Sequence, residues 1–374
     1  MNIAMLQDLT SGSYKATSAL LTKRVDLQCD RMPFRFENVP LRKILNWILV
    51  EASIYVRPER PWGWPTHLQI EPDSRCNLRC VICPVTTGME RPTGSMSLEM
   101  FKNLIDQVGD YVFLILLWDW GEPLMNPSIF DMISYARERG IKVACSTNAQ
   151  LLAQDNRAEM LIRSGLDALI IAMDGITQDT YHRYRRSGSL ESLLEGVQRI
   201  VAKKRELRSE RPLLNLRFLL MGHNEHEVPH LDDLARSLGV DMLSLKTLNP
   251  YGLGKDLLPQ SPDYRRFKYA SDGGTPLRRR RNPCKNLWNT PAIHWDGTVA
   301  PCTFDYDEQY VLGNLRADPF AAIWHGAEYR RLRRQFRSDW ERIEICNRCS
   351  FAYKGGSCID EIITEAHYFN LPRP

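Results

Sequence analysis

Between residues 66 and 250, six short apolar runs alternate with longer amphipathic stretches, and this alternation limits the possible folds more than any other feature of the chain. The runs are His67 to Glu71, Tyr111 to Trp118, Lys142 to Ser146, Ala168 to Met173, Leu214 to Leu220 and Met242 to Lys246, each suited to a buried strand. Between them, Ser97 to Val108, Ser128 to Arg139, Gln154 to Ser164, Leu190 to Arg208 and Glu225 to Leu238 carry helical spacing, with Gly140 and Gly239 as stop signals. Strands separated by helices pair in parallel through right-handed crossovers. The expected fold is α/β, either an open sheet or a partial barrel, with its chemistry at the C-terminal strand ends.

The flanks break the alternation, so three parts are expected: residues 1–65, 66–250 and 251–374. In the first, Leu41, Ile44, Leu45, Ile48 and Leu49 recur at helical spacing beside Trp47. They predict a short amphipathic helix that packs on the main domain or, as the less favoured alternative, rests on a membrane surface. Pro58, Pro61 and Pro65 then mark an extended linker. In the last part Gly and Pro are dense and five of the ten cysteines appear, which marks a second module. No apolar run is long enough to span a bilayer, and the first thirty residues lack a signal-peptide core. A cytoplasmic protein with reduced thiols is expected. A net charge of +4 carries no footprint of nucleic-acid binding. The run Arg278 to Arg281, and Arg330, Arg331, Arg333, Arg334 and Arg337, are read as solvated faces ahead of anion steering.

Reduced cysteines act as buried thiols, nucleophiles or metal ligands. Cys76, Cys80 and Cys83 fall within eight residues at the end of the first strand run, with no fourth cysteine nearby and no histidine at zinc-ligand spacing. Three thiolates on a four-iron cube leave one iron open to a substrate or cofactor. Structural zinc and buried thiols are the alternatives. Cys29 and Cys145 are read as core residues, and Cys358 as a spare ligand or a buried thiol.

The loop Cys76-Asn77-Leu78-Arg79-Cys80-Val81-Ile82-Cys83, following the first strand, resembles the signature of the radical S-adenosylmethionine (SAM) enzymes. The resemblance implies a partial (β/α)6 TIM-type barrel. It also implies that Gly121, Glu122 and Pro123 hold the methionyl amine, that Ser146, Asn148 and Asp174 lie at the ribose, and that Arg185 pairs with the SAM carboxylate. Two positions depart from the family pattern: Ile82 replaces an aromatic residue and Ala172 a serine. Cys284, then Gly297 and Cys302 with four residues between them, then Cys346 and Cys349 resemble the SPASM and twitch modules of one branch. Trp295 to Val299 would form a hairpin there. Four thiolates would complete a second cube, one that relays electrons.

The cofactors implied are SAM and two 4Fe-4S clusters. The activity implied is a radical SAM oxidoreductase that splits SAM to a 5′-deoxyadenosyl radical, with flavodoxin or ferredoxin as reductant. A small-molecule substrate is expected, an alcohol or amino-sugar carbon, with an anionic compound among the candidates. Peptide modification is the alternative, less favoured because residues 1–65 lack the pattern of a leader-binding domain. A non-catalytic scaffold would have no need for Gly121, Glu122 and Pro123. Asp119, Arg217 and Lys246, with Asn249, are the candidates to face substrate, each weighed against a fold-stabilising role.

Overall fold

A computed structural model of the chain describes residues 14–249, 255–270, 275–355 and 363–369. The six expected strands are present as β3 (His67–Ile70), β4 (Leu114–Leu116), β5 (Lys142–Thr147), β6 (Ala168–Ala172), β7 (Leu213–Leu220) and β8 (Met242–Thr247). They pair in chain order and parallel. Helices Leu98–Val108, Ile129–Glu138, Arg157–Arg163, Leu190–Glu206 and Leu231–Leu238 occupy the amphipathic stretches, and a further helix, Gln178–Tyr184, follows β6. Ser97 and Ser189 cap two of them, each accepting a backbone N–H three residues on.

Strand residues alternate between two cores, as the pleat requires. Ile115, Val143, Leu169, Ile171, Leu214, Leu216 and Leu243 belong to the core beneath the helices. Leu114, Leu116, Ala144, Ala168, Ile170, Leu213 and Met242 face the other way. This second set, drawn from β4 to β8, packs on a hairpin of β1 (Val25–Cys29) and β2 (Met32–Phe36). Five strands and the hairpin share this one core. The sheet forms a partial barrel, with the hairpin as a plug on the face opposite the helices. Val25, Met32, Phe34 and Phe36 are buried in it, each stabilising by roughly 1.5–3 kcal/mol.

Over residues 1–65 the hairpin adds two strands to the helix and linker expected there. The helix Leu41–Val56 does form, but its apolar stripe divides. Ile44 and Val50 are buried, whereas Leu41, Leu45 and Leu49 are exposed. No helix among the described residues is long and apolar enough to cross a membrane.

Beyond the barrel, β9 (Ala292–Ile293), β10 (Thr298–Ala300) and β11 (Gly313–Asn314) continue the same sheet, because β9 lies parallel to β3. At the opposite edge β12 (Ile363–Tyr368) runs antiparallel to β8. The C-terminal module is thus hydrogen-bonded to the first barrel strand. On the helix Ala327–Asp339, Arg330, Arg331, Arg334 and Arg337 are exposed as expected, but Arg333 is buried. Its guanidinium donates to the carbonyls of Leu287 and Trp324, both at 2.9 Å, and lies over the rings of Trp324 and Tyr329.

Candidate active site

A cavity opens at the C-terminal ends of the barrel strands, with Cys76, Cys80 and Cys83 on its wall. The cysteine loop is held from two sides. Arg79 and Val81 donate backbone N–H groups to the carbonyls of Arg186 and Tyr184, at 2.9 and 3.2 Å. On the other side, Glu122 donates its N–H to the carbonyl of Arg75 at 2.8 Å. Gly121 makes that approach possible. It sits at φ +108°, and a Cβ there would overlap the carbonyl oxygen of Asp73 and come within 2.8 Å of the Ser74 carbonyl carbon. Gly121→Ala should therefore separate the two loops, at a cost of about 1–3 kcal/mol from overpacking. The expected result is a lower thermal midpoint and weaker SAM binding in the same variant.

Burial pushes the Cys76 thiol up to about 11 and the Cys83 thiol up to about 12. Without a metal both are protonated at neutral pH, so loading the site releases protons. Among the described residues no three His, Cys, Asp or Glu groups are gathered tightly enough to hold a single ion. Three thiols on one cavity wall fit a cube instead, since each can take a different iron.

Glu122 is buried, and its carboxylate already accepts three hydrogen bonds. Oε1 takes the Thr147 hydroxyl at 2.7 Å and the Leu124 N–H at 3.1 Å, and Oε2 takes the Asn148 N–H at 2.8 Å. A carboxylate offers about four lone-pair positions, so one remains for an incoming donor. Asn148 bridges back to the cysteine loop, its amide donating to Asn77 Oδ1 at 2.8 Å and to Cys76 Sγ at 3.8 Å. Asp174 receives the Leu219 N–H at 2.9 Å and Nε of Arg185 at 2.5 Å. Arg185 also donates to Cys80 Sγ at 3.5 Å. Ser146, Asn148, Asp174 and Arg185 thus share one cavity with the three thiols.

The candidates for substrate contact line the same cavity. Asp119 Oδ1 accepts from the Thr303 hydroxyl, while Oδ2 is buried with no hydrogen-bond partner among the described residues. Burial, with Glu71 nearby, raises this carboxyl to about 7. Burial and the neighbouring Arg217 lower Lys246 to about 8. Arg217 is ion-paired to Asp30, at 2.7 Å. Asp30, Gln69, Arg266 and Thr303 are lining residues that sequence reasoning missed. They come from the hairpin tip, the first strand and the C-terminal module, and no local spacing ties them to the cysteine loop.

In the C-terminal module, Trp295 to Val299 do form the expected turn: His294 and Thr298 are bonded across it, with Gly297 at φ +91°. Burial holds the Cys346 thiol well above its ordinary value, and Cys302 and Cys284 lie near enough to raise it further. Cys349 is buried one helical turn beyond. Arg57 donates to the carbonyls of Asn282 and Cys284, at 3.0 and 3.3 Å, tying this thiol set to the N-terminal helix. Cys29 and Cys145 are buried in the two cores, and Cys358 lies outside the described residues. Trp120 Nε1 donates to the Thr303 carbonyl at 2.7 Å, so the residues flanking Asp119 and Cys302 are in direct contact.

Residues 70–235 match the Radical SAM superfamily, and residues 284–350 match SPASM, an iron-sulfur cluster-binding domain. The chain is 25% identical to the AdoMet-dependent heme synthase of Methanosarcina barkeri over 296 residues, 69% of this chain and 82% of that protein. It is 24% identical to the PqqA peptide cyclase of Gluconobacter oxydans over 318 residues, 79% and 86% of the two chains. In fold it is similar to BtrN, crystallised with AdoMet and 2-DOIA, with a TM-score of 0.51 and 15% identity over 80% of this chain and 99% of that one.

Proposed function

Because the chain belongs to the radical SAM superfamily and carries its SPASM iron-sulfur domain, with SAM and iron-sulfur clusters as cofactors, we propose that it is an oxidoreductase acting on a small molecule. The carrying observation is a single cavity that joins three thiols, a buried Glu122 and the wall of the C-terminal module. When bound, a 4Fe-4S cluster on Cys76, Cys80 and Cys83 supplies the electron that splits SAM to methionine and a 5′-deoxyadenosyl radical, and a second on Cys284, Cys302, Cys346 and Cys349 accepts the electron that substrate gives up.

The residues of the chain bind and orient. Glu122 receives the methionyl amine at its remaining lone pair, and Arg185, held by Asp174, faces the SAM carboxylate. Ser146, Asn148 and Asp174 lie at the ribose, with Gly121 and Pro123 shaping the turn. Asp119 is placed to take a proton at Oδ2 from a substrate carbon or hydroxyl, because that atom is buried, unpartnered among the described residues and close to neutral-pH titration. Thr303 and Phe304 bring the C-terminal module over the cavity, which excludes water from a reactive intermediate. An alcohol or amino-sugar carbon is the substrate class, and an electron carrier such as flavodoxin or ferredoxin in the cytoplasm is the reductant. A peptide substrate is the second reading, favoured by the likeness to the PqqA peptide cyclase.

Glu122 tests the SAM site. Glu122→Ala should keep the iron content and weaken SAM binding by about 1.5–3 kcal/mol, the scale of a hydrogen bond to a charged group. Glu122→Gln, which keeps the volume, should fall between the two. Isothermal titration of reconstituted protein with SAM measures both, and unchanged affinity in the alanine variant would place the amine elsewhere.

A further inference from the structure

The hairpin β1–β2 lies outside both matched segments, yet its tip reaches the cavity. Cys29 pairs with Met32, leaving a two-residue turn of Asp30 and Arg31 at φ 50° and 60°. Positive φ at both positions is the type I′ arrangement, whose first position takes Asn, Asp or Gly. The turn therefore accepts an aspartate at position 30 but does not require its charge, since asparagine would serve as well. Tyr368 on β12 anchors the tip by donating to the Arg31 carbonyl at 2.6 Å. Asp30 is 3% exposed, with its carboxylate against Arg217 on the concave face of β7. A buried ion pair is weak as a stabilising device, because desolvation offsets most of the attraction. Apolar residues would hold the hairpin equally well, so the charges call for another explanation.

Lys246 supplies one. It follows Arg217 on the adjacent strand, β8, on the same concave face and lining the same cavity. Among the described residues its ammonium makes no hydrogen bond and no ion pair. The charged groups around it are Arg217, Asp30, Arg266 and Asp174. Asp174 is engaged by Arg185, and Arg266 is held by Thr247 and Ser350. Arg217 is opposed by Asp30, so among the described residues Lys246 is left as an unpaired cation on this wall.

We propose that the hairpin tip is the floor of the substrate end of the cavity, and that Asp30, by neutralising Arg217, leaves Lys246 as the docking cation for one anionic oxygen group of the substrate, a carboxylate or a phosphate. Asp30 thereby sets how much negative charge the subsite accepts. This rests on reading the cavity as the SAM and substrate site, and it names the chemistry of the substrate's far end.

The test uses the reconstituted full chain with SAM and follows reductive methylation of Lys246 by peptide mass spectrometry, with exposed Lys15 as internal reference. Acetate and inorganic phosphate should each slow methylation of Lys246 about fivefold or more at saturating concentration, by mass action, and leave Lys15 unaffected. Tetramethylammonium, a cation that cannot itself be methylated, should not. Asp30→Asn, which suits the turn, should keep the iron content and raise the preference for phosphate over acetate about tenfold, the scale of one added charge-assisted bond. If SAM binds but neither anion protects Lys246, the subsite is wrong. If the anions protect and the preference is the same in Asp30→Asn as in the wild type, the role given to Asp30 is wrong. Should Asp30→Asn lose its fold, Asp30→Gly replaces it, and protection in the wild type still decides the subsite. Protection without any SAM binding would overturn the reading of the cavity and leave the anion site standing.

Discussion

Protein in which Cys76, Cys80 and Cys83 are all replaced by alanine should release no detectable 5′-deoxyadenosine from SAM while keeping about four irons per chain, half the expected load of two cubes. On the proposed assignment the loop supplies all three protein ligands of its cluster, so partial function is not available to the triple variant. The fold should survive, because the cysteine loop belongs to a small cluster around Leu78, Ile82 and Met221 that is separate from the two large cores. Iron analysis and chromatography of the reaction products give the two readouts. Cleavage retained in the triple variant would move the chemistry away from this loop.

Removal of Cys284, Cys302, Cys346 and Cys349 should divide the reaction at a different point. With the cavity loop intact, SAM cleavage in the absence of substrate should continue, but oxidised product should not form, because four thiolates leave no vacancy for substrate and the cluster can act only as an acceptor. The consequence for folding is larger here. The thiols sit in a module whose β9 is hydrogen-bonded to β3, and a structural cluster contributes to the stability of the segment it ties together. A lower thermal midpoint is therefore expected, and circular dichroism must show the barrel intact before product is assayed. A folded variant that still oxidised substrate at the wild-type rate would make the cluster structural.

The barrel strands were legible because each is an apolar run bounded by turn residues, and β5 to β8 lie within a residue of the reading. β4 is shorter than expected: of the Tyr111 to Trp118 run, only Leu114–Leu116 is strand. The hairpin was missed although its pattern is present. Val25, Leu27 and Cys29, then Met32, Phe34 and Phe36, alternate, but the turn between them is Asp30-Arg31 and β2 contains Pro33, so the usual hairpin signal is absent. The junction of β9 with β3 was beyond local reasoning, since it pairs residues more than two hundred positions apart and rests on a two-residue strand. The site divides in the same way. Short spacings exposed Cys76, Cys80, Cys83 and Gly121 to Pro123, whereas Asp30, Arg266 and Thr303 reach the cavity from distant segments and became visible once the sheet had curved. Arg217 was singled out for its position on a strand, but its ion pair with Asp30 makes it part of a charged floor, a role that depends on the hairpin.

The most direct measurement is the fate of SAM itself. Anaerobically reconstituted protein, reduced with dithionite and given SAM with no added substrate, should form 5′-deoxyadenosine and methionine in equal amounts, quantified by liquid chromatography and mass spectrometry. If the iron-sulfur clusters are present and reduced, and SAM is recovered intact, the account of this cavity as a site of reductive SAM cleavage is contradicted.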